Sequence, residues 1–124
     1  MEYRVCRNNP APYNDLSGKI SLLGLGTMRL PLRDAADQTS IDEEKAQEIF
    51  DYAYAHGVNY FDTAYPYHGG MSEKFCGKAL AKYPRASYHL ASKLPGWLLK
   101  CDEDVPRIFN EQLANCRTDY FDFY

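Results

Sequence analysis

Nowhere in this sequence do apolar residues run on for the ~20 positions that a membrane-spanning helix needs. Nor is there a run of Lys or Arg. The formal net charge is −3, so nothing attracts a nucleic-acid backbone or an anionic membrane surface. The first residues, Met1-Glu2-Tyr3-Arg4-Val5-Cys6, lack the basic-then-apolar layout of a secretory signal. Cysteine is sparse: Cys6, Cys76, Cys101 and Cys116 form no C-x-x-C pair, which argues against both a zinc site and a disulfide scaffold. Low-complexity tracts and exact repeats are missing too. These absences lead us to expect a cytoplasmic protein without a metal, whose cysteines are inert, since free Cys is usually a small buried hydrophobe.

What is present is a chain of 124 residues, 45% hydrophobic and 25% charged, the make-up of ordinary soluble globular protein. That length allows one small domain or a piece of a larger one. A unit recurs along it: a short apolar run, a polar loop, then a helix-like stretch. The first run is Ser21 to Met28. After a polar segment, Ser40-Ile41-Asp42-Glu43 reads as a capping box with Ser40 as N-cap. Ala46, Ile49, Phe50 and Ala53 then recur at helical spacing, and Gly57 ends the helix. Val58 to Phe61 reads as a second strand, rich in β-branched and aromatic residues. Ser72 is the expected N-cap of a second helix, which runs to about Lys82 and stops before Pro84. Tyr88 to Ser92 is a third strand, Val105, Ile108, Phe109 and Leu113 form a third helical stripe, and Tyr120 to Tyr124 begins a fourth strand.

Strands and helices alternating at roughly 30-residue intervals give the rhythm of a parallel sheet covered by helices. Residues Tyr3 to Cys6 and Lys19 to Leu22 are placed to pair as an antiparallel hairpin ahead of it. Two architectures share this rhythm, the open doubly wound sheet and the closed (β/α)8 barrel. Gly24-Leu25-Gly26 starts like a dinucleotide-binding fingerprint, but Arg29 stands where the third glycine belongs. The segment that follows is long and polar, so no helix N-terminus is ready for a pyrophosphate. The doubly wound reading fails.

Barrel enzymes place catalytic groups at the C-terminal ends of strands and in the loops that follow. The first strand ends at Gly26-Thr27-Met28, the second at Asp62 and the third at Lys93. Asp62, Tyr67 and Lys93 are thereby expected on one face. Singly, each has a plain reading: a turn aspartate, a packing tyrosine, a solvated lysine. Together they make a proton donor, because a lysine ammonium favours a phenolate and a carboxylate holds the ammonium in place. Such a site protonates a carbonyl oxygen while a cofactor hydride attacks the carbon, with no metal.

These residues resemble a known family. Phe61-Asp62-Thr63-Ala64-Tyr65-Pro66-Tyr67-His68-Gly69-Gly70-Met71-Ser72-Glu73 is similar to the aldo-keto reductase signature, in which Asp-Thr-Ala precedes Tyr and then Ser-Glu. Ala91-Ser92-Lys93-Leu94 resembles the family's lysine strand, and Leu23 to Pro31 its first strand. The resemblance implies a (β/α)8 TIM barrel that reduces aldehydes or ketones, NADPH preferred as NADP(H) cofactor. It makes Tyr67 the general acid, Lys93 the group that tunes it and Asp62 the partner of Lys93. Gly26, Thr27 and Met28, with Asp62, would lie against the nicotinamide and its ribose. Trp97 is placed either in the substrate pocket or against the barrel rim, and His68 within reach of substrate. His56 is expected at a helix end, and His89 facing the barrel interior below Lys93.

A (β/α)8 barrel takes about 250 residues, so residues 1–124 are expected to be its N-terminal half, with a leading hairpin and about four parallel strands. The family's catalytic histidine and its pyrophosphate and adenosine site come from later strands, so this stretch alone is expected to be inactive. Its partner is a small-molecule carbonyl substrate, not nucleic acid or membrane. Two other readings stand beside this one: a non-catalytic NADPH-binding regulatory barrel like potassium-channel β subunits, and a gene fragment without function. Some similar sequences continue into a C-terminal iron–sulfur segment; the four cysteines here lack cluster spacing.

Overall fold

The computed structural model describes residues 3–4 and 20–124. It opens with a hairpin in which β1 (Tyr3–Arg4) pairs antiparallel with β2 (Ile20–Ser21), Tyr3 opposite Ser21. The parts of the expected hairpin at Val5, Cys6 and Lys19 lie outside the described residues. The expected single run from Ser21 to Met28 is divided: Ser21 belongs to the hairpin, Leu22 and Leu23 are exposed in a bend, and only β3 (Leu25–Gly26) joins the parallel sheet.

Helix α1 (Glu43–Ala55) leads to β4 (Tyr60–Asp62), α2 (Met71–Leu80) to β5 (His89–Ala91), and α3 (Asp104–Asn115) to the C-terminal segment. β3, β4 and β5 lie side by side in chain order and pair in parallel, with Gly26, Asp62 and Ala91 at one level. This is the arrangement expected of successive βα units. The expected start of a fourth strand is seen as one parallel bridge, Ala91 with Phe123. Asp122 flanks this bridge. Its carboxylate Oδ2 accepts the Leu90 N–H at 2.8 Å, a donor that a continued ladder would send to a backbone carbonyl. Asp122 also takes the Arg85 guanidinium at 2.6 Å, which ties this segment to the turn before β5.

Period-two alternation divides the sheet. Phe61 and Leu90 are fully buried under the helices, whereas Tyr60, Asp62 and His89 lie on the other face. His89 is thus on the interior side, one level below Asp62, as expected, in edge contact with the Phe123 ring. Phe50 of α1 stacks on Phe61 at 5.2 Å and meets Phe75 of α2 edge-on at 5.4 Å. Leu80, Ala79 and Cys76 complete that core. Burying these side chains, each worth about 1.5–3 kcal/mol for the large ones, is what holds α1 and α2 on the sheet.

The helix ends only partly follow the expected pattern. Gly57 has φ +87, and the N–H groups of Gly57 and Val58 return to the carbonyls of Tyr54 and Ala53, closing α1 as a Schellman motif. His56 sits at that end, as expected, its Nδ1 donating to Tyr52 O. Ser40 is not the N-cap of α1. Asp42 is, accepting from Lys45 N, while Ser40 Oγ is taken up by Asp34 and Asp37 in the preceding loop. Ser72 does not cap α2 either: Gly70 precedes that helix without a side-chain cap, and α2 ends at Leu80. Ile49 and Val105 are at the exposed edge of their helices rather than within the apolar stripe.

Candidate active site

At the C-terminal ends of β4 and β5 the chain places a carboxylate and an ammonium in hydrogen-bonding contact. Lys93 Nζ donates to both Asp62 oxygens at 2.8 Å each and to the Thr63 carbonyl at 2.7 Å. Three acceptors on one ammonium use its full donor set, so its direction is set. Tyr67 lies in the short helical turn after β4, half-buried, with Lys93 Nζ 5.0 Å from its ring centroid. The three expected residues are therefore together.

The turn that carries Tyr67 has an uncommon backbone. His68, Gly69 and Gly70 all have positive φ, at 54, 60 and 88°. Glycine tolerates this conformation, but His68 has a Cβ and needs compensation. It is compensated by burial and two hydrogen bonds: Nε2 accepts from Leu30 N at 3.1 Å, and Nδ1 donates to Gln38 O at 3.0 Å. Those bonds specify the neutral tautomer and use both ring nitrogens. His68 is consequently a brace between the Tyr67 turn and the loop after β3. With both ring nitrogens bonded inside the fold, it has no free polar atom for the substrate contact that its place beside Tyr67 leaves open.

The end of β3 is adjacent. Thr27 N and Thr27 Oγ1 both donate to the Asp62 carbonyl at 2.9 Å, and Thr27 Oγ1 also meets Ser72 Oγ at 2.8 Å. Thr63 Oγ1 reaches the same Ser72 hydroxyl at 3.0 Å. Ser72 thus links three elements from inside α2, and Thr27 is wholly buried. Gly26 is different: a Cβ added there would meet nothing within 4 Å. With Met28, whose side chain is 57% exposed, it borders open space beside Asp62. A platform without side-chain obstruction, edged by a thioether, suits a flat aromatic ring. Trp97, in the turn after β5, is 73% exposed among the described residues.

Two groups at or near this site carry little or no mark in the sequence. Thr63 supplies the third acceptor for Lys93 through its main chain, which no residue pattern marks. Gln112 is fully buried on α3, four positions after Ile108, and a polar residue on an otherwise apolar face was the available signal. A depression of about 530 Å³ lined by Tyr83, Arg85, Tyr88 and Arg117 lies at the other end of β5 and holds none of the clustered residues.

Comparison with known proteins bears on this arrangement. Residues 22–124 match the model of the Aldo/keto reductase family. L-galactose dehydrogenase from Arabidopsis thaliana is 34% identical over 110 residues, covering 84% of this chain and 33% of that protein. Protein tas from Escherichia coli is 30% identical over 132 aligned positions, covering 91% of this chain and 36% of that one. Among solved structures, the holo form of an aldo-keto reductase from Bacillus halodurans superposes with a TM-score of 0.70 and 28% identity, covering 98% of this chain and 38% of that chain. An aldo-keto reductase from Klebsiella pneumoniae in complex with NADPH gives 0.65 and 26%, covering 85% of this chain and 34% of that one. The chain thus spans about a third of the length of these proteins.

Proposed function

The chain belongs to the aldo/keto reductase family, and on that premise we propose that residues 1–124 are the N-terminal part of a barrel that reduces aldehydes or ketones to alcohols with NADP(H). Asp62, Tyr67 and Lys93 are its proton-transfer residues. The observation that carries the reading is the Lys93 ammonium, bonded to Asp62 and Thr63 while standing 5.0 Å from the Tyr67 ring centre.

The Tyr67 hydroxyl gives its proton to the carbonyl oxygen as that oxygen gains negative charge. Lys93 stabilises the charge left on the phenolic oxygen, and Asp62 keeps the ammonium from swinging into solvent. NADP(H), when bound, supplies the hydride to the carbonyl carbon. Gly26 and Met28 would hold the nicotinamide end from the open platform, with Asp62 at its edge and the buried Thr27 supporting the strand end from below. The match to NADPH-bound relatives supports this choice of cofactor. No helix among the described residues is long and apolar enough to cross a membrane.

The test is Tyr67→Phe in the protein with its full barrel. Carbonyl reduction falls by roughly 10²–10⁴-fold, the usual share of a general acid, while NADPH binding followed by fluorescence is retained. Full turnover by the variant would overturn the assignment. Residues 1–124 alone are expected to show no turnover, and NADPH-dependent reduction by that segment would overturn the claim that it is incomplete.

A further inference from the structure

Glu73 is a buried carboxylate that the proton-transfer scheme does not use. It is 0% exposed in the first turn of α2. Its Oε1 accepts from Ser92 Oγ at 2.7 Å and from Gln112 Nε2 at 2.6 Å, and its Oε2 accepts from Asn115 Nδ2 at 3.2 Å. None of these three donors is a cation. A buried carboxylate satisfied only by neutral donors is costly, and a fold that retains one has built its neighbours around it.

What it holds is the main chain beneath Lys93. Gln112 Nε2, oriented by Glu73, also donates to the Lys93 carbonyl at 3.1 Å, with Ser92 Oγ 3.0 Å away. Glu73 and Gln112 together grip Ser92 by its side chain and Lys93 by its backbone, from two different helices. The Tyr124 hydroxyl donates to Gln112 Oε1 at 2.6 Å, which sets the amide's orientation: its NH2 must face Glu73 and Lys93. On the far side of that grip, Lys93 Nζ reaches Asp62 and Thr63.

We propose that Glu73 is a positioning residue for Lys93: acting through Gln112 and Ser92, it fixes the end of β5 so that the ammonium meets Asp62 beside Tyr67. The assignment of Lys93 to proton transfer rests on the function proposed above; the positioning itself does not. What matters is an acceptor at Oε1, not a charge. Glu73→Gln keeps that acceptor, and its new NH2 faces Asn115, whose amide can turn to accept it. Glu73→Ala removes the acceptor, and Gln112→Met removes the link to the Lys93 carbonyl at similar volume.

The experiment is competitive acylation of the full chain by an amine-selective reagent, with the Lys93 rate read by peptide mass spectrometry against Lys45, whose side chain is 70% exposed. A Lys93 released from its three acceptors reacts faster, by roughly fivefold, the factor set by one net hydrogen bond. Glu73→Ala and Gln112→Met are each expected to raise the ratio by about that factor, and Glu73→Gln is expected to leave it near the parent value. Should either of the first two fail to fold, the other carries the measurement. A destabilised but folded variant with an unchanged ratio overturns the proposal, because a purely structural Glu73 predicts that pattern; so does a Gln variant that behaves like the Ala variant. Labelling needs no turnover, so an inactive parent protein would sink the reductase reading without touching this one.

Discussion

Lys93 Nζ stands 2.8 Å from each carboxylate oxygen of Asp62, across a parallel strand pair in which Asp62 faces Ala91, two residues before the lysine. The pair is open to solvent, with side chains 48% and 33% exposed. An exposed ion pair contributes little to folding, so its value lies in the direction it imposes on the ammonium.

Asp62→Asn therefore separates stability from activity. The denaturation midpoint should correspond to a change within about 1 kcal/mol. Carbonyl reduction by the full protein should drop by roughly tenfold or more, because the ammonium is no longer held beside Tyr67. Parallel urea titration and steady-state assay check both. A large stability loss without a rate effect would contradict the division.

Gly77 marks the crossing of α2 and α3. A Cβ there would lie 2.6 Å from Asn115 O and from Cys116 C, both backbone atoms that cannot rotate away. Alanine is the better helix former by about 1 kcal/mol, but overpacking at a backbone contact costs about 1–3 kcal/mol and requires the helices to separate. Gly77→Ala should lower stability on balance, and because α3 also carries Gln112, it should loosen Lys93 as well. Urea denaturation followed by circular dichroism measures the first effect.

Phe50 and Ile49 are neighbours with opposite fates. Phe50 is fully buried between Phe61 and Phe75, so Phe50→Ala should cost about 3–5 kcal/mol. Ile49 is 40% exposed, and Ile49→Ala should cost well under half of that. Equal losses from the two substitutions would mean that α1 is rotated from the orientation described.

The buried thiols set an alkaline limit. Burial pushes Cys76 from an ordinary 9.0 up to about 11, and burial raises Cys116 in the same direction. Above pH 9 the unfolded chain releases these protons while the native chain keeps them. The stability contributed is complete below pH 9 and is lost as pH rises toward about 11. At the acid end, hydrogen bonds from Lys82 and Tyr83 hold Asp51 down to about 2, so its contribution is present above pH 3.8 and disappears as pH falls through 2. Denaturation midpoints across the pH range should fall at both ends, and a midpoint still rising between pH 9 and about 11 would contradict the thiol burial.

Much of this arrangement was legible in the residues. The βα rhythm and the close of α1 at Gly57 follow from patterns spanning a few neighbouring positions, and the rhythm sets Asp62, Tyr67 and Lys93 at or after strand ends. At two helix starts the local pattern misleads, because a Ser followed by an acidic residue is a local signal that distant partners can override. Ser72 is drawn into α2 by Thr27, 45 residues away, and Ser40 is held by the loop it closes. The start of a fourth strand, which the aromatic composition announces, is present as the bridge from Ala91 to Phe123, whereas the bond from Leu90 N–H to the Asp122 side chain is marked by no local pattern.

The sequence by itself determined where strands and helices alternate and which residues stand at strand ends, because backbone sterics and side-chain periodicity act between near neighbours. Only the tertiary structure decided that His68 braces the Tyr67 turn against the loop after β3, that Thr63 lends a carbonyl to Lys93, and that Glu73 lies buried beneath the lysine. Each of those depends on donors and acceptors 19 to 42 positions apart. Such pairs are made by packing, and no local pattern specifies which polar groups the folded chain will bring together.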